Sequence, residues 1–181
     1  MAISLGLGLL IIRLVGGLTI AAHGAQKLFG WFDGPGLTKI TQGFEKQGFK
    51  PAWLWVCLVI LGEFGGGLSV ALGFLTPLGA AGMFGAMLMA IFKSHWKFGF
   101  WSSKRGYEFP LALLAMGVGI GLTGPGIFSL DALFGITLPY PWVFLVLAVA
   151  ALLVDVIGLI ISRPAAVQIE VKQTEGKSSP S

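Results

Sequence analysis

The sequence predicts an all-α fold, a polytopic bundle of membrane-spanning helices occupying residues 1–161. Three observations predict it. Hydrophobic residues make up 55% of the 181-residue chain and charged residues only 11%, against about 25% charged in soluble domains. The apolar residues fall into five long runs, about 3–22, 53–75, 78–95, 109–124 and 140–161, and roughly 20 apolar residues carry a helix across the hydrocarbon core. The runs are apolar on every side, whereas strands of a membrane barrel alternate polar and apolar positions.

Span one, 3–22, is bounded by Gly24. No basic segment precedes it and Arg13 lies within it, which argues against a cleavable signal peptide. The stretch "DGPGL" follows, where Pro35 and Gly36 suit the central positions of a type II turn. Residues 37–50 set Leu37, Ile40 and Phe44 at helical spacing, with Lys39, Glu45 and Lys46 elsewhere around the wheel. That pattern predicts an amphipathic helix lying in the membrane interface, with Trp31, Phe32, Trp53 and Trp55 anchoring at head-group level. Span two begins after Pro51 and holds the single cysteine, Cys57, so an internal disulfide or dithiol redox pair is excluded. Span three starts near Pro77. Span four, near Pro110, is the shortest and most glycine-rich, and a Gly-Pro-Gly turn at 124–126 closes it. Span five runs between Pro139 and Pro164, and 162–181 is a polar tail expected to be flexible and cytoplasmic.

Charge orients the bundle, because Lys and Arg collect on the cytoplasmic side. With five spans, eleven of the twelve basic residues fall on one side: Lys27, Lys39, Lys46, Lys50, Lys93, Lys97, Lys104, Arg105, Arg163, Lys172 and Lys177. The opposite loops, 76–77 and 125–139, contain neither Lys nor Arg. The expected orientation is therefore N-terminus outside and C-terminus cytoplasmic. The formal net charge of +4 then faces anionic lipid head groups rather than nucleic acid.

Charges inside spans are functional candidates by default, being expensive unless paired. Arg13 lies nine residues before the end of span one and Glu63 ten residues into span two, both roughly 14–15 Å from the same membrane edge. This register predicts an Arg13–Glu63 ion pair, with Gly62 and Gly66 as a small-residue face admitting close contact between the two spans. Such a pair could line a proton path or polar pocket, or simply set helix register. A second cluster follows from topology: His23, Lys27, His95, Tyr107 and Glu108 all lie at helix ends facing the cytoplasm and can converge at one rim of the bundle, just below Glu63. Imidazole, carboxylate and phenol groups move protons or hold a polar head near neutral pH. Each also has a structural reading. A histidine in a last helical turn and a glutamate in a first one both complement the helix dipole, and Lys27 can snorkel. Asp155, in span five, is expected to hydrogen-bond within the bundle. No H-x-x-E-H or C-x-x-C-H spacing occurs, which weighs against a metal or haem.

The segments "RLVGGLTIAAHGAQKLFGWFDGPGL", "LGEFGGGLSVALGFLTPLGA", "HWKFGFW", "GYEFPLALLA" and "GPGIFSLD" together resemble the DoxX family of small bacterial membrane proteins, from Arg13 to Asp131. The family is a four-helix bundle, so the resemblance implies a four-helix core with 140–161 as an additional C-terminal span. It places Arg13, His23, Gly24, Lys27, Glu63, His95, Tyr107 and Glu108 on family motif positions, with Asp33 departing from a frequent glycine. It implies the bacterial plasma (inner) membrane. Family members are membrane partners of redox proteins, including a subunit of an archaeal thiosulfate:quinone oxidoreductase.

Two readings follow. In one, the chain is the membrane subunit of a quinone-linked redox complex, with redox proteins as partners and a quinone head near His23, His95 and Glu63. In the other, it is a non-enzymatic scaffold, transporter or assembly factor whose polar cluster holds helices together. The sequence has no nucleotide motif, so a redox role would need a partner to carry electrons.

Overall fold

The computed structural model describes residues 2–162, and those residues form helices and connecting turns without a strand. Pro164 and the rest of the expected tail, with Arg163, Lys172 and Lys177, lie outside the described residues. The helices are α1 (Ala2–Leu28), α2 (Gly36–Lys46), α3 (Ala52–Leu72), α4 (Thr76–Phe98), α5 (Glu108–Thr123) and α6 (Trp142–Ile161). Four of these, α1, α3, α4 and α6, are long and apolar enough to cross a membrane, and α5 is apolar but shorter. Its 16 residues reach roughly 24 Å at 1.5 Å per residue.

Helix α1 is longer than the sequence pattern predicts. It continues through Gly24 to Leu28, because Gly24 serves packing: a Cβ there would collide with the backbone nitrogen of Phe64 on α3. The expected type II turn at Pro35-Gly36 does not form. Pro35 has ψ −24°, whereas that turn needs about +120°. The chain reverses three residues earlier, where Gly34 N–H donates to Trp31 O (3.0 Å) across Phe32 and Asp33, both at positive φ. Two central residues at positive φ are the mark of a type I′ turn.

Helix α4 is the hub, packing against α3, α5 and α6, while α1 packs against α3 and α5. Ile20, Val70, Ala80, Met83, Leu113, Ile120 and Phe144 form the shared core. Large apolar side chains also cover the outside: Ile11 and Val15 on α1, Val146, Leu153, Ile157 and Ile160 on α6 are exposed. A helix apolar on its outer face as well as its inner one is built for lipid.

Glycines bring the helices together, in a different pairing from the expected one. Gly62 and Gly66 of α3 face α4, where an added Cβ would meet the carbonyl oxygens of Gly82 and Gly79. The α1–α3 approach is made instead by Gly17 and Gly24 of α1 and Gly67 of α3. Two wide π turns interrupt the helices, Leu61–Gly65 in α3 and Ala90–His95 in α4. Such turns insert an extra residue and recur at functional sites. Here they carry Glu63, Lys93 and His95.

Candidate functional site

Glu63 sits in the π turn of α3, only 3% exposed. Its partner is Lys27, whose Nζ donates to Glu63 Oε2 from the last turn of α1. The lysine side chain is 23% exposed against 4% for the glutamate, so the pair has one wetter and one drier member. Phe29 and Phe64, each close in sequence to one member of the pair, pack edge-on with ring centroids 5.6 Å apart. His23, one turn before Lys27, lies against α5 with its ring 5.6 Å from Phe109.

The other rim residues serve the loop between α4 and α5. His95 Nδ1 lies 2.7 Å from the carbonyl oxygen of Arg105. Tyr107 stacks on Trp96 (5.4 Å) and meets Phe100 edge-on (5.7 Å). Glu108 Oε2 accepts from Ser102 N–H at 2.9 Å. Of the five residues expected to converge just below Glu63, only Lys27 contacts it. The rest divide between α5 and a locally folded loop.

Arg13 is not Glu63's partner. It is 1% exposed, and Nη1 and Nη2 donate to Pro125 O and Phe128 O, each at 2.5 Å. Asp131 lies near enough to oppose its charge. The reason is register. Because α1 continues to Leu28, the turn at residue 27 lies level with Glu63, and Arg13 packs instead against Gly73. Gly73 is ten residues beyond Glu63, roughly 15 Å along the helix.

Asp131 therefore anchors a second polar cluster at the opposite end. It accepts from Leu75 N–H (2.7 Å), Thr76 N–H (3.1 Å) and the Thr76 hydroxyl (2.8 Å), satisfying the N-terminus of α4. Leu75 holds φ at +48° to reach it. Gly73 is at φ +65°, and a Cβ there would strike the Arg13 guanidinium, so only glycine serves. The Tyr140 hydroxyl nearby is pushed up to about 12 by burial first and by the negative Asp131 second. Sequence reasoning missed Asp131, Thr76 and Tyr140 as a unit, since none lies in a charged or periodic motif; the available signal was one acidic residue in a loop without bases.

Lys93 was also missed as a structural residue. Its Nζ donates to Ser162 O (2.9 Å) and Oγ (2.7 Å) and sits 5.0 Å from the Phe49 ring centroid, tying the end of α6 to α4. Asp155 departs from expectation, for its Oδ2 is buried without a hydrogen-bond partner, as is Trp55 Nε1. No three His, Cys, Asp or Glu among the described residues group to hold a metal ion. Chemically, the described site is a buried carboxylate paired to a partly exposed ammonium at one end of the bundle.

A family model described as DoxX matches residues 8–96. The match covers α1 to the π turn of α4, and the segments "GYEFPLALLA" and "GPGIFSLD" lie beyond it. Neither the curated proteins nor the solved structures contain a match to this chain.

Proposed function

The chain belongs to the DoxX family through residues 8–96, and on that premise we propose that this multi-pass integral membrane protein is the membrane subunit of a quinone-linked redox complex. It exchanges protons through Lys27 and Glu63. The observation that carries the proposal is a carboxylate buried in a π turn of a membrane helix and ion-paired to a more exposed lysine. Ionisable residues within membrane helices are functional candidates by default and recur in proton relays. Lys27 is the member nearer water, Glu63 the inner one, and His23 stands one turn inward of Lys27. Quinone reduction consumes protons, and this relay would deliver them to a complex whose electrons come from a partner protein. The reading carries the topology with it: five spans in the bacterial inner membrane, N-terminus outside, α2 on the cytoplasmic leaflet, and Lys27–Glu63 at the cytoplasmic end.

The test compares wild type with Glu63→Gln and Lys27→Met in the complex isolated with its partners. Reduction of decylubiquinone per complex should fall about tenfold or more, as for loss of a proton-transfer group, while partner recovery is retained. Unchanged turnover with lost partner recovery would sink the redox reading and favour the scaffold or assembly role.

A further inference from the structure

On the face of α3 turned away from Lys27, helices α3, α4 and α6 enclose a groove of about 500 Å³. It follows α3 from Trp55 to Ser69, roughly 20 Å of helix. Glycine and aliphatic side chains make up most of its wall, with Gly62, Gly66 and Gly82 forming its floor. Two polar residues near one end break that pattern. Asp155 of α6 and Trp55 of α3 are each 7% exposed, both line the groove, and Asp155 Oδ2 and Trp55 Nε1 are buried without hydrogen-bond partners. They belong to one neighbourhood, since the Trp55 ring packs on Gly158, three residues after Asp155.

A buried polar atom left unpaired is destabilising, and native proteins leave few. An acyl chain would fill the trough but satisfy neither atom. A carbonyl could accept from the indole N–H but has no proton to donate to an ionised carboxylate oxygen. A hydroxyl serves both, its oxygen accepting from Trp55 Nε1–H and its proton donated to Asp155 Oδ2. The long apolar trough suits a hydrocarbon tail behind that head.

We propose that the groove between α3, α4 and α6 binds a hydroxyl-headed lipophile, its hydroxyl received by Trp55 and Asp155 and its tail laid along Gly62, Gly66 and Gly82. Two sources share this chemistry, a prenylated quinol and a diacylglycerol-type lipid alcohol. The quinol source rests on the redox reading above; the lipid alcohol does not.

The experiment measures binding of three probes to the purified full chain in detergent: decylubiquinol, its dimethyl ether, and dioctanoylglycerol. At least one hydroxylated probe should bind, with the ether about tenfold weaker or more, the worth of about one lost hydrogen bond in a dry site. Asp155→Leu and Trp55→Phe should each weaken the hydroxylated probe similarly, and Trp55→Phe keeps the ring packing should the leucine variant fold poorly. Gly119→Ala, outside the groove and with open space beside its added Cβ, should bind as wild type does. Binding of dioctanoylglycerol alone supports the groove site while removing its quinol source. Equal binding of quinol and ether, no binding of any probe, or binding unchanged in both groove variants would overturn the proposal.

Discussion

Lys27 reaches Glu63 because Gly24, one turn before it, lets α1 lie directly on the backbone of α3 at Phe64. The ion pair and the close approach are one structural unit. The two ends of the bundle are thus held differently, by a charge pair between α1 and α3 here and by the Arg13–Asp131 cluster at the far side.

Removing one member of the pair should be worse than removing both. Lys27→Met leaves a carboxylate that is 3% exposed without its cation, a change worth about 3 kcal/mol, the low end for broken buried pairs because the lysine is partly solvated. The double variant Lys27→Met/Glu63→Leu should recover most of that loss. Thermal unfolding in detergent checks it; a double variant less stable than Lys27→Met would count against the pair.

Gly24→Ala should separate α1 from α3. The added methyl meets Phe64 backbone and Cβ, and overpacking of this kind costs about 1–3 kcal/mol. Gly119→Ala is the control, since nothing lies within 4 Å of its added Cβ, and should be neutral or slightly stabilising, by under about 1 kcal/mol. Melting temperatures of the two variants give the comparison.

Arg13→Lys should destabilise although it keeps the charge. The guanidinium bonds Pro125 O and Phe128 O at once, and an ammonium point charge cannot reproduce that fork. Loss of one charged hydrogen bond is worth about 1.5–3 kcal/mol. Asp131→Ala, which strands three donors from Leu75 and Thr76, should cost more. Limited proteolysis of the 124–141 connection is the readout.

Tyr140 should make stability fall at alkaline pH. Its folded hydroxyl titrates at about 12, raised by burial and then by Asp131, while the unfolded one titrates near 10. The neutral form is favoured in the fold, so its contribution is complete below pH ~10 and is lost as pH rises through ~12. Wild type should therefore lose stability relative to Tyr140→Phe across that window and nowhere below it. A constant difference from pH 8 to 12 would show that the hydroxyl does not ionise on unfolding.

The proposed orientation makes a labelling prediction. In a Cys57→Ser background, which removes the exposed native thiol, Lys46→Cys should react with an impermeant maleimide only in inside-out vesicles. Leu133→Cys, at a position 73% exposed, should react only from the other face. The reverse pattern would overturn the positive-inside assignment.

Much of the fold was legible because hydropathy is a local property. The four long spans and the shorter α5 were each written in a run of apolar residues, and α2 in its 3.6-residue spacing. Helix ends were less legible. Gly24 reads as a stop, yet in a bilayer a helix continues wherever its backbone bonds are satisfied within it, and the glycine was there for packing. Asp33 at positive φ gave no cue beyond its tolerance for that region.

The sequence by itself determined that this chain is a set of apolar helices, which carry Arg13, Glu63 and Lys27 into or beside the membrane. The tertiary structure alone decided which charges meet. Partner choice depends on the axial register of antiparallel helices, and a six-residue extension of α1 moved its contacts by roughly 9 Å. That shift is more than an ion pair can span, so Glu63 took Lys27 and Arg13 took the carbonyls of a loop more than a hundred residues away.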